Sequence, residues 1–282
     1  MRPRTLSASV APVAMGTSIA YGDGLFHAGG AVATLIGALG IQIACNFAND
    51  FFDARQGADT AERMGPVRAV AAGLVSARAM LCATIAVIII VVLPCVVYLV
   101  YRGGWPFAVL GAVSVILAFA YTGSRWSLAY LGLGDIFAFL FFGPIAVAGT
   151  YAAQAIAWSW IPAIAGCGVG LLACALISVN NLRDEPTDRL AQKRTLAVRF
   201  GPAWARMEFI TCILGAGLIA IAFAAWSGRW WCASAAIASC ALLPSMLRVI
   251  RGASGRPLNR ELAATGQATL GYGILFSIGW NL

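Results

Sequence analysis

The sequence predicts an all-α fold, a polytopic membrane bundle of about nine transmembrane helices with a cytoplasmic amino terminus, organised as a single domain over residues 1–282. Composition is the first reason. Hydrophobic residues make up 61% of the chain and charged residues 11%, and the mean hydropathy is +0.84. Soluble domains carry about 45–50% apolar and about 25% charged residues. So little charge cannot shield so much apolar surface from water, which makes the lipid bilayer the solvent. Run length is the second reason, because a helix needs about 20 mostly apolar residues to cross a bilayer core. The third is that the basic residues collect on alternate connections.

Taken in order, the first run covers 5–21, between Arg4 and Asp23, and the second covers 30–50 and ends in a polar segment. The third, 79–101, is an Ile/Val/Leu stretch bounded by Arg78 and Arg102. The fourth, 105–121, follows Gly103-Gly104, and the fifth, 135–153, follows Gly132-Leu133-Gly134. The sixth, 159–180, ends on two asparagines. The seventh, 208–226, lies between Arg206 and Arg229, while the eighth, 230–248, and the ninth, 264–281, flank a basic connection. These runs are continuous and rich in Leu, Ala, Gly and Ile. Barrel strands would instead alternate.

With the amino terminus inside, 17 of the 19 basic residues fall on cytoplasmic connections, and only Arg102 and Arg229 lie outside. The amino-terminal orientation follows from the positive-inside rule. Ten of the eleven acids also lie on that side, Asp23 being the exception. A carrier would place ionisable groups along a mid-membrane path. Charge of both signs at one face points instead to a binding or reaction chamber open to the cytoplasm. The dispersed basic residues form no arm or stripe, which excludes nucleic acid as a partner. The eight cysteines, none in a C-x-x-C pair, read as small packing residues. His27, on the outer side, reads as a surface residue.

Two carboxylate clusters carry the chemistry. The second run ends Asn46-Phe47-Ala48-Asn49-Asp50-Phe51-Phe52-Asp53, where helical spacing puts Asn46, Asp50 and Asp53 on one face. The sixth ends Asn180-Asn181-Leu182-Arg183-Asp184, followed by Glu185-Pro186-Thr187-Asp188. Asp184 and Asp188 share a face if the helix continues through Pro186, a residue ordinarily tolerated only in a first turn. Both clusters follow inward-running spans and so reach the cytoplasmic surface together. Carboxylate and amide oxygens without His or Cys suit a hard cation, above all Mg²⁺, which bridges carboxylates to phosphate oxygens. Together with arginines they predict a diphosphate site.

A basic loop follows each cluster. Arg68 in the first and Lys193 in the second are the preferred phosphate contacts. Asn49, Asn181 and Arg183 stand beside the acids as further diphosphate-binding candidates. A third cytoplasmic loop is nearly uncharged and places Tyr121 and Thr122 at the lip of the chamber.

These residues resemble the UbiA superfamily of intramembrane aromatic prenyltransferases. The likeness rests on Asn49-Asp50-x-x-Asp53 and Asp184-x-x-x-Asp188. Within the superfamily the sequence is similar to the branch acting on 1,4-dihydroxy-2-naphthoate. The blocks that carry this are Arg2-Pro3-Arg4-Thr5-Leu6, Gly57-Ala58-Asp59-Thr60, Gly65-Pro66-Val67-Arg68, Tyr121-Thr122-Gly123, Tyr130 to Asp135, Phe141 to Pro144, and Thr195 to Gly201. The resemblance covers residues 2 to about 201. It implies a polyprenyl diphosphate donor whose diphosphate is held by Mg²⁺, with Asn46, Asp50 and Asp53 in the first metal cluster and Asp184 and Asp188 in the second. It implies prenyl transfer to the naphthoate with loss of CO₂ and pyrophosphate, a step of menaquinone biosynthesis, at the cytoplasmic face of the plasma membrane. Tyr121 would face the allylic cation or the acceptor. Sister enzymes acting on 4-hydroxybenzoate or homogentisate share the metal motifs, and a carrier of lipid diphosphates is the alternative from another class. The sequence departs from the family in having Gly57 where many members carry a third Asp, and Gln192 where the family has Gly before the lysine.

Overall fold

The computed structural model describes residues 3–55, 64–65, 68–120, 123 and 131–282. Every regular element among them is helical. Helix α1 is Pro3–Gly22 and α2 is Ala28–Arg55. Helix α3, Ala77–Gly103, contains a π-helical stretch at Ile88–Val92, and α4 is Pro106–Ala120. Helix α5, Gly134–Ala155, is broken at Gly143 ahead of Pro144. Then come α6 (Trp160–Leu190), α7 (Pro202–Ser227), α8 (Trp230–Ile250) and α9 (Leu258–Trp280), with a five-residue helix, Leu196–Phe200, between α6 and α7.

Helix therefore occupies each expected apolar run. Among the described residues six helices, α2, α3, α5, α6, α7 and α8, are long and apolar enough to cross a membrane. Helix α4 is shorter at 15 residues, and α9 opens on the polar Asn259, Arg260 and Glu261.

Local chemistry explains several boundaries. The Ser76 hydroxyl accepts from the Ala79 N–H and starts α3, and Ser159 accepts from Ile161 at the head of α6. His27 has the same task for α2: its Nδ1 accepts from the Gly30 N–H at 3.0 Å. The π stretch in α3 ends just before Pro94, where the Leu93 N–H reaches back to the Ile88 carbonyl. There Val91 and Val92 lie against Gly40 of α2, closely enough that a Cβ on Gly40 would stand 3.0 Å from Val92.

Helix α6 is the axis of the bundle and packs against α1, α5, α7 and α9. Val169, Leu172, Ala175 and Val179 are buried in its middle, with Phe209 and Ile213 of α7 and Tyr272 and Phe276 of α9 in the same core. The break in α5 lets its backbone touch α6. A Cβ on Gly143 would lie 2.7 Å from the Gly166 carbonyl oxygen and 2.7 Å from the Gly170 Cα. Small residues four apart allow such close approach between membrane helices.

Polar ties close one end of the bundle. Tyr151 donates to Asp23 at 3.0 Å, Arg102 donates to the Ala153 and Gln154 carbonyls, and Arg229 stacks on Trp280 at 4.1 Å. The carboxylate clusters lie at the other end. Helix α2 runs to Arg55 and α6 to Leu190, both beyond their apolar runs, so each carries its acids on a projecting polar end. Pro186 does not stop α6. Thr187 donates its hydroxyl to the Asp184 carbonyl at 2.9 Å, a side-chain bond in the same turn as the proline, whose missing N–H would have gone to the Leu182 carbonyl.

Candidate active site

A cavity of about 450 Å³ lies between α2, α4, α5 and α6. Its walls are apolar, with Ile41, Leu110, Phe137, Phe141, Phe142 and Leu176 among them, and its polar end is built from the two clusters. That volume is typical of ligand pockets, as is an apolar wall with few convergent polar groups.

Asp53 is at the centre of the polar end and is 1% exposed. Arg68 Nη2 lies 2.5 Å from Asp53 Oδ2, and Arg68 Nη1 donates to the Asn49 carbonyl, also at 2.5 Å. Lys193 Nζ lies 3.3 Å from Asp53 Oδ1 and 3.7 Å from Asp188 Oδ1. One ammonium thus stands between a carboxylate of α2 and a carboxylate of α6. Buried charges need such partners, because desolvation of an isolated ion costs several kcal/mol.

Beside this group Arg183, itself buried, clasps Asp184 through two bonds of 2.7 and 2.6 Å. Two more of its donors go to Asn180 and Asn259, each at 2.8 Å. Asn259 in turn donates to the Met64 carbonyl at 3.0 Å. Glu261, two residues further along α9, accepts two hydrogen bonds from Arg248 of α8 at 2.7 and 2.8 Å. The end of α9 is therefore pinned to α8 on one side and to the site on the other.

The residues singled out from sequence divide clearly. Asn46, Asn49, Asp53, Arg68, Asn181, Arg183, Asp184, Asp188 and Lys193 all line the cavity. Asp50 does not: its carboxylate accepts from the Ala69 and Val70 N–H groups, at 3.1 and 3.4 Å, and so holds the loop that carries Arg68. Tyr121, Thr122 and Asp59 lie outside the described residues. Gln192, where the family has Gly, adopts φ +58°. That left-handed turn is what glycine ordinarily supplies, and it directs Lys193 to the acids.

Three contributors escaped the sequence reading. Asn259 follows the last apolar connection, beyond the motif blocks; its only signal is the polar Asn259-Arg260-Glu261 step at a helix start. Asn180 lines the cavity beside Asn181 and braces Arg183. Asp135 closes the Gly132-Leu133-Gly134-Asp135 stretch, yet it is buried in the first turn of α5 and lines the cavity.

The donor set fits a divalent cation with phosphate. Among the described residues no three His, Cys, Asp or Glu come together as a protein cage. Mg²⁺ characteristically takes one or two carboxylates and completes its shell with water and substrate phosphate oxygens. Asp53 and Asp188, already bridged by a cationic ammonium, are such a pair, and the flanking amides of Asn46, Asn49 and Asn181 are hard oxygen donors.

Comparison with known proteins agrees with this picture. The model of the UbiA prenyltransferase family matches residues 9–266. The chain is 36% identical over 272 residues to the 1,4-dihydroxy-2-naphthoate octaprenyltransferase of Mycobacterium tuberculosis, covering 95% of this chain and 91% of that protein. It is 36% identical over 232 residues to the protein of the same name from Escherichia coli, covering 79% and 73%. Among solved structures, an apo UbiA homolog from Aeropyrum pernix K1 superposes with a TM-score of 0.66 at 16% identity, over 96% of both chains. A UbiA homolog from Archaeoglobus fulgidus, bound to GPP and Mg²⁺, superposes with a TM-score of 0.62 at 15% identity, over 98% of this chain and 97% of that one.

Proposed function

The chain belongs to the UbiA prenyltransferase family, and on that premise we propose that it transfers a polyprenyl group from an allylic polyprenyl diphosphate to 1,4-dihydroxy-2-naphthoate. CO₂ and pyrophosphate are lost and demethylmenaquinol is formed, a step of menaquinone biosynthesis. The observation that carries the reading is the Lys193 ammonium set between Asp53 and Asp188. It marks a point where positive charge is held between two acid-bearing helices at the mouth of an apolar chamber.

In this reading Asn46, Asp53 and Asp188 hold Mg²⁺, with Asp184 oriented by Arg183 and Asp50 fixing the Arg68 loop. Bound there, the metal supplies Lewis-acid stabilisation of the departing pyrophosphate. Arg68 and Lys193 turn toward the diphosphate as it enters, and stabilise the charge that grows on it as the allylic C–O bond breaks. The apolar wall of Leu110, Phe137, Phe141 and Leu176 receives the prenyl chain and keeps water from the allylic cation. Tyr121 is assigned to the cation or acceptor side. All nine long helices cross the membrane in this reading, with the amino terminus and the chamber mouth on the cytoplasmic side of the inner membrane, as the charge distribution supports.

The test is purified protein in lipid with a polyprenyl diphosphate and Mg²⁺, offered 1,4-dihydroxy-2-naphthoate and 4-hydroxybenzoate in parallel, with EDTA controls and mass analysis. A prenylated, decarboxylated naphthoquinol formed only with metal is expected. Prenylated hydroxybenzoate in its place would overturn the acceptor assignment.

A further inference from the structure

Four acids line the cavity, and three of them are held by Arg or Lys: Asp53 by Arg68 and Lys193, Asp184 by Arg183, and Asp188 by Lys193. Asp135 is the fourth. It is 4% exposed, has no basic partner among the described residues, and its Oδ1 is buried without a hydrogen bond. Its main-chain carbonyl accepts from the Cys174 thiol at 3.1 Å, which fixes the start of α5 against α6. Among the described residues the titratable groups that interact with it are that thiol and the carboxylate of Glu208 from α7, neither of which supplies positive charge.

Its place in the chamber is also defined. The residues just before α5 pack against the Lys193 loop: Gly132 lies so close that a Cβ there would stand 2.6 Å from the Arg194 carbonyl, and Arg199 donates to the Leu131 carbonyl at 3.3 Å. Asp135 follows three residues later, at the edge between the charged end and the aromatic wall of Phe137, Phe141 and Phe142. A buried carboxylate oxygen without a donor, on a residue that lines the cavity, calls for a donor from the ligand.

We propose that Asp135 is the acceptor-side catalytic residue, taking a hydrogen bond, and then the proton, from the ring hydroxyl next to the carboxyl-bearing carbon of the aromatic substrate. This deepens the prenyltransferase reading and rests on it. The allylic C–O bond breaks and its electron pair leaves with pyrophosphate. A ring π pair forms the new C–C bond at the carboxyl-bearing carbon, the adjacent C–OH becomes C=O, and its proton passes to Asp135. The product of that step is a β-keto carboxylate. Its C–CO₂ bond then breaks, the electron pair returns to the ring as an enolate, and Asp135 gives the proton back to the oxygen. No proton is consumed overall. A base and then acid at one position suits both halves of the reaction.

The test compares wild type with Asp135→Asn and Asp135→Glu in lipid nanodiscs with Mg²⁺. Three readouts are taken: kcat and KM for each substrate, binding of a non-reactive polyprenyl thiodiphosphate, and turnover of an acceptor whose ring hydroxyl beside the carboxyl is methylated. The Asn variant is expected to lose about 10²–10⁴ in kcat with thiodiphosphate binding unchanged, and the Glu variant to recover part of the loss. Methylation should slow the wild type by a comparable factor and the Asn variant little further. Wild-type kcat in Asp135→Asn, or thiodiphosphate binding lost in step with turnover, would overturn the assignment and leave the prenyltransferase reading standing. Wild-type protein that neither binds the thiodiphosphate nor forms product would overturn that reading, and the role of Asp135 with it.

Discussion

Lys193 Nζ lies 3.3 Å from Asp53 Oδ1, joining the loop after α6 to the last turn of α2 inside a buried pocket. The contact exists because α2 and α6 both project past their apolar runs at the same end of the bundle, and because Gln192 accepts a left-handed turn that aims the lysine inward. If the same ammonium stabilises the departing diphosphate, Lys193→Met should lower kcat by about 10²–10³, the usual effect of removing one preorganised donor. Lys193→Arg should keep part of the activity. Steady-state kinetics with Mg²⁺ titration checks both.

Asp50 and Asp53 sit three residues apart yet do different work, and their variants should differ accordingly. Asp53→Ala leaves Arg68 and Lys193 without their shared buried partner, so thermal stability should fall by about 3–5 kcal/mol, as for other broken buried pairs. Turnover should vanish with it. Asp50→Ala removes the acceptor for two loop N–H groups and should abolish turnover with a smaller loss of stability. Asp184→Ala should likewise abolish turnover while the protein still inserts. Wild-type activity in the Asp50 or Asp184 variant would remove the two-cluster model.

Asn259 joins α9 to both basic elements of the site, through Arg183 and the Met64 carbonyl. Asn259→Ala should cost about 1–3 kcal/mol for the buried partners it strands. It should raise KM for the diphosphate more than for the acceptor. Equal effects on the two KM values would assign it to general stability instead.

Gly166 faces Gly143 backbone to backbone, with 2.8 Å between the site of its missing Cβ and the Gly143 carbonyl carbon. Gly166→Leu should therefore force α5 from α6 and lower the unfolding midpoint in detergent, at a cost of about 1–3 kcal/mol, as for other overpacked cores. Gly271→Ala, where a Cβ would meet only the Ala238 Cβ at 3.9 Å, should have a much smaller effect.

The all-helical character and the apolar runs were legible from residues alone because lipid imposes its demand locally: a segment that crosses must be apolar over its own length and satisfy its own backbone hydrogen bonds. The acid motifs were legible for a related reason, since Asn46, Asp50 and Asp53, or Asp184 and Asp188, need only helical spacing to share a face. Spacing could not separate Asp50, which grips the Arg68 loop, from Asp53, which faces the cavity, because that difference depends on where a distant loop folds back. Nor could it carry α6 through Pro186 or bring Asn259 to Arg183. Asp135 was legible only as the first residue of the fifth apolar run; the packing of α5 on α6 buries it against the chamber. Hydropathy and motif spacing are properties of neighbouring residues, whereas burial and charge pairing belong to helices far apart in sequence, and only their packing determines which carboxylate meets a cation and which is left facing the cavity.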